Sequence, residues 1–101
     1  MKFGLKKEII ESIINILKKY NEVEKACIFG SRARGDYRKQ SDIDIALFGE
    51  YLTNAINTKI YFEIDSLYLP YKIDLININT LKEEEKFREN ILNEGVEIYA
   101  K

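Results

Sequence analysis

The chain has 101 residues, the size of one domain, and its 46% hydrophobic and 33% charged residues are typical of a globular protein. It contains no histidine and one cysteine, which excludes Ser-His-Asp and Cys-His nucleophile systems and the common zinc sites. The formal net charge of −1 argues against direct nucleic-acid binding, which needs an excess of basic residues. The groups left for chemistry are carboxylates, hydroxyls, lysine and arginine, and the metals that suit them are Mg²⁺ and Mn²⁺.

The N-terminal residues do not have the pattern of a signal peptide, because charges interrupt their apolar stretch. No run approaches the roughly 18–20 apolar residues of a membrane span. A lone cysteine is typical of a reducing compartment. We therefore expect a single cytoplasmic domain over residues 1–101 with no membrane association.

Hydrophobic spacing and turn residues predict alternating helices and strands. The predicted elements are a helix over 5–20, a strand within 23–30, a loop over 31–41 with room for one helical turn, a strand over 43–48, a helix over 52–68, a strand over 73–78, a helix over 81–93 and a strand over 96–99. Thr80 and Glu83 have the spacing of a capping box for the last helix, and Gly95 stands where a C-cap glycine belongs. This order predicts an α/β (α+β) domain with a small mixed sheet and flanking helices.

Three aspartates lie on or beside the central predicted strands. Asp42 and Asp44 are separated by one residue, so a strand places them on one face, about 6–7 Å apart along the backbone. Two like charges on one face repel each other, and a hard divalent cation would neutralise them. Asp74 lies within the next apolar strand. If these two strands are neighbours, three carboxylates converge, as two-metal phosphoryl transfer requires.

A glycine, a serine and several basic residues follow the first predicted strand. Gly30 allows close approach of a ligand to the backbone, and Ser31 supplies a hydroxyl and an N–H group. Residues 32–39 carry a local charge of +3, which leaves −4 on the rest of the chain. Arg32 and Arg34 could contact a polyphosphate, but a solvated loop or a partner-facing patch explains them equally well.

The spacing of these residues resembles a known signature. Gly30-Ser31, ten residues, and then Asp42-Ile43-Asp44 match the GS-x10-DxD pattern of the polymerase-beta-like nucleotidyltransferase superfamily. The longer string GSRARG…SDIDIAL resembles the minimal nucleotidyltransferases (the MNT family), which pair with HEPN-domain proteins. The resemblance covers nearly the whole chain and implies the polymerase-beta-like nucleotidyltransferase core.

The resemblance also implies roles for individual residues. Such proteins transfer a nucleoside monophosphate from an NTP and release pyrophosphate. Asp42, Asp44 and Asp74 would be the catalytic metal ligands for two Mg²⁺ ions, with Mn²⁺ as a substitute, and Asp74 would help to deprotonate the acceptor. Gly30 and Ser31 would bind the phosphates of ATP, with Arg32 and Arg34 as weaker candidates.

The function expected from the resemblance is that of an antitoxin. It would transfer AMP from Mg-ATP to a hydroxyl, in particular a tyrosine, of a cognate HEPN ribonuclease toxin and so neutralise it. An alternative is a non-catalytic module that masks the toxin, and a third is nucleotidyl transfer to a small molecule. Because the chain has only the catalytic core, we expect the toxin or a second copy of the chain to complete the acceptor side.

Overall fold

The computed structural model describes all 101 residues and contains the helices and strands in the predicted order. The elements are α1 (Lys7–Leu17), β1 (Lys25–Phe29), α2 (Ser31–Arg34), β2 (Ile43–Phe48), α3 (Asn54–Asp65), β3 (Ile73–Asn77), a 3-10 turn (Ile78–Thr80), α4 (Lys86–Glu94) and β4 (Val96–Ala100). None of these helices has the length and apolar character needed to traverse a bilayer.

The four strands form one mixed sheet in the order β3-β2-β1-β4. β1 is antiparallel to both β2 and β4, whereas β2 and β3 are parallel. The chain reaches the parallel strand through α3, as a parallel crossover requires. This arrangement confirms the predicted α/β class and the mixed sheet with flanking helices.

The two faces of the sheet are buried by different helices. α1 and α3 cover one face, where Ile28, Ile45 and Leu47 belong to a core cluster of 14 buried residues. Because side chains alternate along a strand, the neighbouring residues Phe29 and Ala46 point to the opposite face. There they pack with Ile91 of α4 in a second, four-residue cluster. Asp44 shares this second face, since it lies two residues before Ala46.

The helix ends differ from the predicted ones where side chains find other partners. α4 begins at Lys86 rather than at residue 81, and the predicted capping box is wrong. Thr80 ends the 3-10 turn, and its hydroxyl donates to the Asn77 carbonyl at 2.8 Å instead of capping a helix. α3 begins after Thr53, whose Oγ1 accepts a hydrogen bond from the Ile56 amide.

Gly95 is the C-cap of α4, as predicted, but for a different reason. Its φ of −60° is open to any residue. A Cβ at this position would lie 2.7 Å from the Ile91 carbonyl oxygen and 3.3 Å from the Cys27 Cβ. Close packing of the α4 end on β1 therefore requires the glycine.

Candidate active site

The parallel pairing of β2 and β3 brings two of the predicted acids side by side. Asp44 and Asp74 are direct register partners, so their Cα atoms lie one strand spacing apart, about 4.8 Å. The expectation that these strands are neighbours is confirmed. Asp74 is exposed, whereas Asp44 is partly buried between its neighbours.

The surroundings of Asp44 oppose its ionisation. Burial, together with the negative charges of Asp74 and Asp42, raises the pKa of this carboxyl from 3.8 to about 6. Arg34 and Arg32 act in the opposite direction but do not offset these effects. The folded chain therefore holds a carboxylate whose charge is incompletely compensated, as is common where a cation or cationic ligand binds.

The third acid, Asp42, lies at the entrance to this strand pair. It is exposed and immediately precedes the first residue of β2, so it adjoins the strand rather than belonging to it. Arg32 helps to fix the backbone at this residue, because its Nε donates a hydrogen bond to the Asp42 carbonyl at 3.3 Å.

Gly30 and Ser31 form a tight turn, here called the Gly-Ser turn, between β1 and α2. Gly30 has φ 73° and ψ −153°, a conformation that is essentially restricted to glycine. A Cβ on Gly30 would lie 2.3 Å from Asp44 Oδ2. The backbone of the turn and the Asp44 carboxylate are therefore in direct contact, which only glycine permits. The Ser31 and Arg32 amides follow as the first N–H groups of α2, where no helical carbonyl pairs with them.

These residues line one open cavity of about 380 Å³. The cavity lies within the range of roughly 300–1,000 Å³ that is common for small-molecule sites. Gly30, Ser31, Arg34, Asp44 and Asp74 form one side of it. Five of the seven predicted site residues are thus brought together, with Asp42 and Arg32 outside the lining.

The rest of the cavity wall was not predicted. It consists of Phe29 and three residues of α4, namely Phe87, Asn90 and Glu94. The sequence predicted the last helix without assigning any of its residues to the site. The i, i+3, i+7 spacing places the three α4 residues on one face of the helix, but the contact of this face with the cavity is visible only in the structure.

Arg34 reaches the cavity from α2 and is held there by two carboxylates. Its guanidinium donates to Glu94 at 3.2 and 3.3 Å and to Asp36 at 3.4 Å. A phosphate in the cavity would compete with these ion pairs. Direct phosphate contact by Arg34 stays a prediction.

Arg32 has a different place from the one expected of a phosphate ligand. It is 2% exposed and packs between the rings of Tyr37 and Tyr71. Its guanidinium donates to main-chain carbonyls of Phe3 at 2.9 Å and of Ser41 at 2.8 Å, with longer bonds to Lys39 and Asp42. With its donors committed in this way, Arg32 fixes the loop that leads into β2 and thereby positions Asp42.

The donor set at this site fits a hard divalent cation in its chemistry. The acidic side chains offer carboxylate oxygens, the ligands that such cations prefer. A bound cation would also neutralise the incompletely compensated charge of Asp44. No three acidic or cysteine side chains are close enough together to hold a metal ion by themselves. Mg²⁺ at phosphoryl-transfer sites is usually bound by one or two carboxylates together with the substrate phosphates, which matches such an incomplete protein set.

Comparison with known proteins identifies the family of this chain. The protein-family model described as "Polymerase beta, Nucleotidyltransferase" matches residues 11–101. A curated protein of Methanocaldococcus jannaschii, described as a putative protein adenylyltransferase, is 35% identical over 92 residues, which cover 90% of this chain and 95% of that protein.

Two solved structures are similar in fold. A toxin-antitoxin structure with AMP-PNP has a TM-score of 0.74 at 20% identity, over 91% of this chain and 73% of that one. A complex of an MNT antitoxin with a tri-AMPylated HEPN toxin of Shewanella oneidensis has a TM-score of 0.71 at 17% identity, over 96% of this chain and 74% of that one. The chain therefore belongs to the polymerase beta nucleotidyltransferase family, and its fold is that of the family's minimal members.

Proposed function

We propose that this chain transfers AMP from Mg-ATP to a hydroxyl, in particular a tyrosine, of a HEPN-domain ribonuclease toxin, and thereby neutralises it. The observation that carries the proposal is the direct contact between the glycine of the Gly-Ser turn and Asp44, which is paired in register with Asp74 at one cavity. A glycine turn beside carboxylates would suit a triphosphate with its Mg²⁺, and this supports the proposal. The curated relative with the name of a protein adenylyltransferase supports a protein as the acceptor.

The residues of the site would have separate roles in the transfer. Ser31 and the adjacent amides would bind the terminal phosphates, and Asp42 and Asp44 would hold Mg²⁺. When bound, Mg²⁺ would neutralise negative charge on the phosphates. Asp74 is exposed at the open side of the pair, where it can receive the acceptor's proton. The acceptor oxygen bonds to the α-phosphorus, the bond to the bridging oxygen breaks, and pyrophosphate leaves.

The test is a transfer assay with two labels. Purified chain, Mg²⁺ and a HEPN-domain protein are incubated with ATP labelled either at the α- or at the γ-phosphate. We expect the α-label on the acceptor and the γ-label in released pyrophosphate. Asp42→Asn should abolish the transfer, whereas Asp65→Asn, a change of the same kind at an exposed acid outside the cavity, should retain most of it. Label from the γ-position on the acceptor, or full transfer by Asp42→Asn, would refute the proposal.

Neutralisation by masking is a second candidate, and exposed apolar groups favour it. Phe62 is 62% exposed and Tyr68 is 90% exposed, both around the C-terminal end of α3. Groups of this kind are common at protein interfaces. Masking predicts that Asp44→Asn still neutralises the toxin, whereas the catalytic proposal predicts that it does not.

A further inference from the structure

The part of the active-site cavity formed by α4 carries none of the residues proposed above to bind metal or phosphate. Phe87, Asn90 and Glu94 lie one helical turn apart on a single face, and all three line the cavity. The neighbouring face of the same helix carries Ile91, which is 1% exposed and belongs to the second core cluster. α4 is thus anchored in the core by one face and presents the other to the cavity.

An aromatic pair connects this wall to the Gly-Ser turn. Phe29, the residue directly before Gly30, meets Phe87 edge to face, with ring centroids 5.8 Å apart and an interplanar angle of 72°. Phe29 is buried, but Phe87 remains 42% exposed. Phe87 is therefore held in orientation by a buried partner while much of its ring stays open. An open ring face beside a phosphate site is suited to stack on a nucleobase.

Asn90 supplies the hydrogen-bonding groups on the same wall. It lies one turn after Phe87 and lines the cavity from an exposed position. A carboxamide offers one donor face and one acceptor, which complements the adjacent donor and acceptor on an edge of adenine. Guanine presents two acceptors, O6 and N7, where adenine has the N6 donor and the N7 acceptor, so a carboxamide that contacts this edge pairs better with adenine.

The last residue of the wall faces the phosphate side. Glu94 is ion-paired with Arg34, which lines the cavity next to Ser31. A base placed there would meet a carboxylate rather than a ring. The charge distribution along α4 therefore favours the base at the Phe87 end and the phosphates at the Gly-Ser turn.

We infer that Phe87 and Asn90 form the base subsite of the nucleotide pocket, with Phe87 stacking on the base and Asn90 selecting adenine by hydrogen bonds to its N6/N7 edge. This inference rests on the proposed function, because it assigns the base end of the same nucleotide. It adds two specificity-determining residues and a substrate preference for ATP over GTP.

The experiment separates base binding from phosphate binding. Affinities are measured by isothermal titration calorimetry, in Mg²⁺, for AMP-PNP, GMP-PNP and inorganic tripolyphosphate. The variants are Phe87→Ala, Phe87→Leu and Asn90→Ala. Leu92→Ala, at an exposed position of α4 outside the cavity lining, is the matched control. Circular dichroism checks that each variant is folded, and Phe87→Leu keeps an apolar partner for Phe29 if the alanine variant unfolds.

For the wild-type chain we expect AMP-PNP to bind more tightly than tripolyphosphate and GMP-PNP. Phe87→Ala should weaken AMP-PNP binding by about tenfold or more, in line with the loss of one base–aromatic stack. Phe87→Leu should weaken it by less, and both should leave tripolyphosphate within about twofold. Asn90→Ala should bring the affinities for AMP-PNP and GMP-PNP together.

Two results would overturn the inference in distinguishable ways. If AMP-PNP binds tightly and neither Phe87 variant nor Asn90→Ala changes its affinity or selectivity, the base subsite is elsewhere and the proposed function stands. If the wild-type chain binds neither AMP-PNP nor tripolyphosphate, the proposed function fails and the base subsite fails with it.

Discussion

Replacing Asp44 by asparagine should stabilise the free protein while removing its interaction with Mg²⁺ and nucleotide. The side chain keeps its shape, but the negative charge that faces Asp74 and Asp42 disappears. Because burial and these two acids oppose ionisation of Asp44, the charged carboxylate destabilises the folded chain at neutral pH. The same negative charge would attract a bound cation.

The size of the effect follows from the raised pKa. The difference between 3.8 and about 6 corresponds to about 3 kcal/mol, at 1.36 kcal/mol per pKa unit. Because Asp44 is only partly buried, solvent screening reduces the expected gain to about 1–2 kcal/mol. For a domain of this size, such a gain raises the melting temperature by roughly 4–15 °C.

The pH dependence has a definite sign. Between pH 3.8 and about 6 the folded wild-type chain binds more protons at Asp44 than the unfolded chain does, so its stability falls as the pH rises through this window. The asparagine variant lacks this dependence. Its advantage should therefore be complete above about pH 7 and absent below about pH 3.8.

Thermal unfolding of the apoprotein from pH 3.5 to 8, repeated at pH 7.5 with Mg²⁺ and AMP-PNP, measures both effects. Asp65→Asn, which removes an exposed carboxylate outside the site, is the control and should change the melting temperature little. Mg-AMP-PNP should stabilise the wild type and Asp65→Asn but not Asp44→Asn. An Asp44→Asn variant that is no more stable than wild type at pH 7.5, or that gains equally at pH 3.5, would refute the electrostatic reasoning.

Three further substitutions test how the site is built. Gly30→Ala should destabilise the chain by about 3 kcal/mol in urea unfolding and abolish Mg-AMP-PNP binding, because it forces a glycine-only conformation and displaces Asp44. Gly35→Ala is the control, because Gly35 also has a positive φ of 95° but no atom lies within 4 Å of the added Cβ. It should lose stability and still bind Mg-AMP-PNP. An equal loss of binding in the Gly30 and Gly35 variants would contradict this view. Arg32→Lys should destabilise the folded chain by about 2–3 kcal/mol, because an ammonium group cannot make all the hydrogen bonds that the guanidinium donates to main-chain carbonyls. If Arg32→Lys loses no more stability than Arg38→Lys, the positioning role of Arg32 is wrong. Asn77→Leu should lower the free energy of unfolding by about 1–3 kcal/mol, because the Asn77 side chain donates a hydrogen bond to the Leu52 carbonyl and accepts one from the Asn79 amide. Asn93→Ala, at an exposed position, is the control. An unchanged urea midpoint for Asn77→Leu would contradict this expectation.

The sequence predicted the elements whose physical signals are local. A short, mostly apolar run closed by Gly49 identified β2, and isoleucines at three- and four-residue steps identified the helices that cover the larger core. The pairing of Asp44 with Asp74 also followed, once their strands were taken as neighbours. Gly30 was predicted from its motif, but its contact with Asp44 Oδ2 could be seen only in the structure.

The parts that could not be predicted depend on contacts between distant segments. Arg32 is followed by polar loop residues, and nothing local indicates that its guanidinium reaches the carbonyl of Phe3, 29 residues earlier. Thr80 and Glu83 have the spacing of a capping box, but the Asn77 carbonyl competes successfully for the threonine hydroxyl. Phe87 could not be recognised as a cavity residue before Phe29 was known to lie against it.

The most direct measurement of the central claim is the intact mass of a HEPN-domain acceptor after incubation with this chain, Mg²⁺ and ATP. We predict that the acceptor gains the mass of one or more adenylyl groups and loses ribonuclease activity, and that both changes disappear with Asp44→Asn or without Mg²⁺. An acceptor that is neutralised while its mass stays unchanged would contradict catalysis at this site.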